Sequence, residues 1–381
     1  MQKKSLTVKI EPEVFRWLKN SSGWKNSELA KRLKTTENTI KKIETGDKDP
    51  TLRQLRELST IFKRPIASFM LSKPKTEKPK PKDYRLLPEK KDQFDKKTLF
   101  VLRKARHLQS LAKELSININ YEIKTKLKKA KLSDNPESIA VYYRDLFQIT
   151  EDKQKKFRDA YKFFHHLRDI LEELNIYVFQ FSMPIEDARG FVFADEEPHV
   201  IVVNTKDTIE ARLFSLMHEF AHVLLGESAI DIPDPSLSSK NKMEKWCDEF
   251  SASFLLPKNI AVNLFESNKN NITSKATLKT ISNKYKVSKA MLLVNMNRFN
   301  YISNQDLKKI LDIKPKQQKD EKSSGGGGIP SDKKILSEVG NKFVSLVANN
   351  FDKEKITYAD ALNYLSIKSK KFNKLLSQAK K

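Results

Sequence analysis

Apolar residues recur with a helical period along most of the 381-residue chain, and the rhythm is interrupted once by β-like runs. Phe15 to Leu71 has the spacing of a bundle of short helices: Val14, Phe15 and Leu18; Leu29, Ala30 and Leu33; Ile40 and Ile43; then Leu52, Leu55, Leu58, Ile61 and Phe62. From Phe94 to Leu174 the pattern is again helical, with Leu99, Leu102, Ala105, Leu108, Leu111 and Leu115, and later Tyr161, Phe164, Leu167, Ile170 and Leu171. Ile176 to Phe181, Phe191 and Val200 to Val203 then read as strands of one small sheet. Thr205 to Leu225 returns to a helix that is apolar nearly all round, with Thr208 as its cap and Gly226 as its stop. Lys242 to Leu256, Ala276 to Tyr285, Ala290 to Phe299 and Ile335 to Lys374 continue in helices. The expected fold is mainly α with a small β-sheet, of the α+β class.

The buried helix after the strands carries the chemistry. His218, Glu219, Phe220, Ala221 and His222 spell H-E-x-x-H. Two histidines one turn apart share a helix face, so both imidazoles can reach one zinc ion, while Glu219, about 100° round, is placed as general base. Polar groups in a helix of this apolarity need partners, which argues against two idle surface histidines. A third ligand is required, and Glu244 with Asp248 stands at i and i+4 on the next helix. In peptidases of the thermolysin type this spacing places Glu on zinc and Asp on a ligand histidine, which it orients. Glu249 is the rival, but it lies about 100° from Asp248 and 140° from Glu244 on the helical wheel and cannot join both on one face. A solvated face beside Lys242 and Lys245 is the plainer reading of these carboxylates. No pattern singles out the group that would stabilise an oxyanion; Arg212, His199 and the tyrosines all remain candidates, with Arg212 better suited to fixing the helix by a salt bridge.

The stretch from Arg189 to Pro257 resembles the ImmA/IrrE family of metallopeptidases. The resemblance is carried by Arg189-Gly190-Phe191, the strand ending at Asn204, Arg212, the pentad, Glu244 to Ala252, and Leu255-Leu256-Pro257. Cys247 stands where Ala is usual and Asp248 where Asn is usual. The resemblance implies zinc held by His218, His222 and Glu244, with Glu219 as the catalytic base.

The N-terminal bundle resembles a helix-turn-helix of the Xre/Cro type, on Ser27 to Leu33, Lys34-Thr35-Thr36, Ile40 to Glu44, Gly46, Pro50-Thr51-Leu52 and Leu55. Ala30 is small where two helices cross, Thr36 caps the recognition helix, and Ile40 and Ile43 bury its inner face. Glu28, Thr36, Glu37, Asn38, Lys41 and Lys42 are the candidate DNA-binding residues, Asn38 for a base edge and the lysines for phosphate. Lys34 occupies a turn position usually held by Gly, which costs strain if the left-handed conformation is kept. A bundle for dimerisation or partner docking is the alternative.

Charge favours DNA. The chain has 73 Lys and Arg against 48 Asp and Glu, a formal net charge of +25, and the simplest polyanion partner is double-stranded DNA. The lysines spread through every segment, and those of the helical middle read either as a scaffold's solvated face or as a DNA-tracking stripe. One cysteine, no membrane-length apolar run and a polar Met1 to Ile10 point to the cytoplasm and to no membrane partner.

These readings give a modular chain. Residues 8–72 form the helix-turn-helix domain, 73–93 a Lys/Pro linker, 94–174 a helical scaffold and 175–258 a zincin-like peptidase core. Residues 259–312 form a second helix-turn-helix-like extension, 313–330 a glycine-rich linker and 331–381 a C-terminal helical module without assigned chemistry. By family analogy the protein is a DNA-binding transcriptional regulator, possible as a homodimer, carrying a zinc endopeptidase that cleaves a partner repressor or antitoxin. The alternative is a non-cleaving regulator whose peptidase fold senses metal, ligand or partner.

Overall fold

The computed structural model describes residues 6–76, 81, 94–231, 241–312, 331–372 and 374–375. The glycine-rich linker expected at 313–330 lies outside the described residues, as does the Lys/Pro linker at 73–93 except for 73–76 and 81. Among the described residues, those up to Lys104, apart from Pro81, form one compact unit, and Pro81 with those from Ala105 onward forms another. No helix among them is long and apolar enough to cross a membrane.

The first unit is built on α1 (Pro12–Ser21), α2 (Asn26–Arg32), α3 (Glu37–Thr45) and α4 (Leu52–Phe62). Its core is the expected apolar set, with Val14, Phe15, Leu18, Leu29, Ile40, Leu55, Leu58 and Phe62 fully buried. Ala30 is buried in this core. Thr36 and Thr51 cap α3 and α4 through the amides of Thr39 and Gln54. A polar clasp ties three helices: Lys19 Nζ donates to Asn26 Oδ1 at 2.9 Å and to Glu44 Oε1 at 2.5 Å, and Asn26 donates to Glu44 Oε2 at 3.1 Å. Lys34 takes the left-handed conformation, φ 52°.

Helix α5 (Lys96–Asn118) contributes residues to both units. The second unit continues with α6 (Pro136–Leu146), α7 (Glu151–Lys156) and α8 (Ala160–Glu173), then β1 (Ile176–Phe181), β2 (Gly190–Phe193) and β3 (His199–Asn204). It goes on with α9 (Ile209–Leu225), β4 (Ile230–Asp231), α10 (Lys242–Leu255), α11 (Lys258–Ser267), α12 (Lys275–Tyr285), α13 (Lys289–Arg298) and α14 (Asn304–Asp312). The last elements are α15 (Ser331–Asp352) and α16 (Tyr358–Leu365).

The sheet has the order β1-β3-β2-β4, with β1 parallel to β3 and β2 antiparallel to both β3 and β4. Every residue of β1, β2 and β3 is buried, as expected of strands covered on both faces. Ile176, Val178, Val192, Ile201 and Val203 enter the core shared with α8, α9 and α10. The alternate residues face the other way, where Phe343 of α15 packs edge-on against Tyr177 and Phe179 at 6.3 and 6.0 Å and the Arg106 guanidinium of α5 lies 3.6 Å from the Phe193 ring centre.

The C-terminal helices therefore belong to the second unit. Helix α15 is broken at Gly340, whose φ 81° and ψ 165° only glycine adopts readily. A buried ion pair on α8 grips the break: Arg168 Nε meets Glu172 Oε1 at 2.9 Å, Arg168 Nη1 donates to Ser337 O at 2.8 Å, and Glu172 Oε2 accepts the Lys342 amide at 3.0 Å. Arg168 Nη2 also donates to the carbonyl of Val178 on the edge strand β1.

The middle of the chain departs from the expected helical run. Asn120 turns left-handed (φ 54°) and ends α5, and residues 121–131 form neither helix nor strand. Ile123, Thr125 and Leu127 alternate with lysines there, a period of two that favours an extended chain over a helix.

Candidate metal centre and nucleic-acid interface

Helix α9 starts at Thr208, whose hydroxyl accepts the Ala211 amide, and ends at Gly226 in the left-handed conformation. Between these caps it is packed on both the sheet and α10, so the pentad is carried into the core. His218 and Glu219 are 0% exposed and His222 is 1% exposed. Helix α10 is capped by Asn241, which places Glu244 in its first turn. Phe220 and Phe250, 6.0 Å apart, help lock the two helices together, and Tyr143 of α6 packs edge-on against Phe220 at 5.2 Å.

This packing brings three ligand side chains together. His218 Nε2 and His222 Nε2 are 3.3 Å apart, and Glu244 Oε2 and Oε1 lie 3.3 and 3.4 Å from them respectively. A tetrahedral ion with bonds near 2.0–2.1 Å has ligand-to-ligand edges of about 3.4 Å, so the triangle has the size such an ion needs. His218, His222 and Glu244 are the metal-capable cluster among the described residues. Asp248, one turn along α10, puts Oδ1 3.0 Å from His218 Nδ1. Glu249 turns away and pairs with Arg298 at 3.6 Å.

The electrostatics follow from burial and proximity. Burial disfavours charge on His218, but hydrogen bonds to Asp248 and Glu244 outweigh it and hold its pKa well above that of ordinary imidazole. Burial likewise opposes charge on Glu244, and its bonds to His218 and His222 win, so its pKa falls far below the carboxylate range. His222 is pushed down, by burial first and then by charge on His218. In the metal-free cluster charge is therefore favoured on His218 and Glu244 and disfavoured on His222.

Two neighbours of the cluster carry no local signal. Gly190 and Asp231 pair in register across β2 and β4. A Cβ built at Gly190 would sit 2.9 Å from Glu219 Oε1, so the missing side chain makes room for the carboxylate. Asp231 is buried, and its charge raises the pKa of both histidines. Arg212 secures the corner between β3 and α9 by donating to Asp207 O at 2.9 Å and Thr205 O at 2.5 Å, using carbonyls rather than the expected salt bridge. His199 opens β3, with Nδ1 3.2 Å from Glu196 O.

In the first unit, Glu37, Asn38, Lys41 and Lys42 are exposed along α3, on the face opposite the buried Ile40 and Ile43, and Thr36 is the cap. Glu28 is engaged otherwise: Oε1 meets Lys96 Nζ at 2.5 Å and Oε2 accepts the Lys25 amide at 3.0 Å, closing the first turn of α2.

Residues 171–297 match the family model described as the IrrE N-terminal-like domain of peptidase family M78, and residues 15–69 match a helix-turn-helix model. The chain thus carries a region similar to a helix-turn-helix domain ahead of one similar to the IrrE N-terminal-like domain. A comparison with curated proteins finds no match. The IrrE-like match spans β1 through α13 and so takes in the ligand triangle, Glu219 and Asp248. It also includes α12 and α13, joined by a turn with Lys286 left-handed at φ 59°, which pack on α7 through the bond from Gln154 Nε2 to Tyr285 O at 2.7 Å.

Proposed function

We propose that the protein is a DNA-binding transcriptional regulator whose IrrE-like domain is a zinc-dependent endopeptidase acting on a partner repressor or antitoxin. The observation that carries this reading is the buried triangle of His218, His222 and Glu244 with Glu219 beside it on the same helix. Two imidazole nitrogens and one carboxylate are a donor set that zinc favours in hydrolases, and they leave a fourth position open. Bound zinc supplies Lewis acidity that polarises a carbonyl and makes water more acidic. Glu219 takes a proton from the attacking water and delivers it to the leaving amine nitrogen. Asp248 accepts the Nδ1 proton of His218, which fixes the ring and leaves Nε2 for the ion.

The helix-turn-helix domain would place this chemistry at a chosen address. Asn38 is suited to a base edge and Lys41 and Lys42 to phosphates. Tethering raises the effective concentration of the peptidase around a DNA-bound target, which gives the fusion a physical purpose. The test pairs zinc analysis with cleavage of the repressors and antitoxins encoded alongside the gene, using wild type and Glu219→Gln. Both chains should hold one zinc and only wild type should cut. If both hold zinc and neither cuts any of them, the sensor without turnover replaces the enzyme.

A further inference from the structure

The segment 121–131, which is neither helix nor strand, is held by bonds from four directions. Asn175 Nδ2 donates to Glu122 O at 3.2 Å and Lys124 O at 3.1 Å, and Glu197 Oε1 accepts the Thr125 amide at 2.9 Å. The Tyr143 hydroxyl donates to Lys128 O at 2.7 Å, and the Ala130 amide donates to Leu224 O at the end of α9 at 3.0 Å. The alternation therefore has a fixed sense: Ile123, Thr125 and Leu127 turn inward and are half-buried, while Lys124, Lys126 and Lys128 are exposed. Lys131 continues the exposed basic run, whereas Lys129 Nζ is bonded to Val223 O at 3.0 Å. Glu122, itself exposed, approaches Lys126 only to 3.8 Å, and Glu197 is committed to the Thr125 amide.

We infer that Lys124, Lys126 and Lys128 form a second contact surface for duplex DNA, on the peptidase unit and separate from the helix-turn-helix domain. The alternating burial sets Lys124, Lys126 and Lys128 on one side, two residues apart; in an ideal strand such side chains repeat every ~6.6 Å, a spacing comparable with neighbouring phosphates along one strand. Pinning by Asn175, Glu197 and Tyr143 removes the backbone freedom that a loose lysine loop would lose on binding. The contact is with phosphates and carries no base readout, so it adds affinity uniformly across sequences. The choice of DNA over other polyanions rests on the DNA-binding reading of the first domain, which would deliver the chain to a duplex.

The test uses the full chain and a non-specific 30-base-pair duplex, with binding followed across a salt titration. Lys124→Ala/Lys126→Ala/Lys128→Ala is made in wild type and in a Lys41→Ala/Lys42→Ala background, and a triple Lys→Arg variant checks that charge rather than local folding is read. Each lost phosphate contact should flatten the slope of log K against log salt by about 0.9, so the triple should flatten it by up to about 2.7 in both backgrounds, with Arg restoring it. Unchanged affinity and slope in both backgrounds would overturn the stripe. An effect of the triple without any effect of Lys41 and Lys42 would keep the stripe and remove the recognition-helix reading instead.

Discussion

Gly190 on β2 lies directly against the Glu219 carboxylate, and a Cβ there would come 2.9 Å from Oε1, 3.0 Å from Val202 O and 3.3 Å from Glu219 Cγ. Neither the strand backbone nor a buried carboxylate can retreat cheaply. Gly190→Ala should therefore push Glu219 off its position while leaving the three ligands in place. The expected result is one zinc per chain with peptide hydrolysis reduced by about two orders of magnitude, read by metal analysis beside a cleavage assay. Loss of zinc in this variant would show that the glycine serves the ligand triangle instead.

In the proposed site Asp248, 3.0 Å from His218 Nδ1, would act on the metal through His218. Asp248→Ala should weaken zinc binding by about 10–100-fold, measured by competition with a chromophoric chelator, whereas Glu244→Ala removes a ligand and should weaken it further. Equal losses in the two variants would contradict the division of roles.

Zinc must displace a proton. In the metal-free cluster hydrogen bonds to Asp248 and Glu244 outweigh burial and hold the pKa of His218 well above the ordinary imidazole value, while burial lowers that of His222 and bonds to the histidines depress that of Glu244. Binding near pH 7 should release about one proton, seen as a calorimetric enthalpy that varies with the ionisation enthalpy of the buffer. The same shift sets the metal-free stability. The His218 contribution is full below the ordinary imidazole range and is lost as pH rises through its elevated pKa; that of Glu244 is present above the ordinary carboxylate range and is lost as pH falls through its depressed one. Because the lowered pKa of His222 makes its contribution fall away as pH drops below the ordinary imidazole range, thermal melts of the metal-free chain should soften on both sides, with the His218 loss on the alkaline side and the His222 loss on the acid side.

At Gly340 a side chain would meet both Glu172 and Arg168 and would also be forced into a glycine-only conformation. Gly340→Ala should cost about 1–3 kcal/mol from the backbone alone. Arg168→Ala strands a buried Glu172 and should cost about 3–5 kcal/mol. Denaturant unfolding followed through the buried tryptophan Trp246 reports on this unit; an unchanged midpoint in Gly340→Ala would mean that α15 is free to shift.

What could be read from the residues alone was whatever repeats locally. The helix carrying the pentad, its caps at Thr208 and Gly226, and the preference for Glu244 over Glu249 all follow from 3.6-residue geometry, and the structure places Glu249 on Arg298 as that geometry requires. Gly190 and Asp231 escaped because their relation to the site comes from strand pairing across about forty residues of chain. Residues 121–131 escaped differently. Their alternation of Ile123, Thr125 and Leu127 with lysines was in view, but flanking helical apolar spacing masked it. The grip of Arg168 and Glu172 on Gly340 joins segments with no shared pattern at all.

The docking of α15 also orders events during synthesis. The aromatic face of the sheet, with Tyr177 and Phe179, is covered by Phe343, more than 160 residues later in the chain. A ribosome that has made the pentad and Glu244 has therefore not yet made the cover for the sheet beneath them, and contacts of such long range form slowly. The core of the helix-turn-helix domain, drawn from Ile10 to Phe69, has no such wait. The nascent protein would carry a finished helix-turn-helix core before its IrrE-like half is sealed.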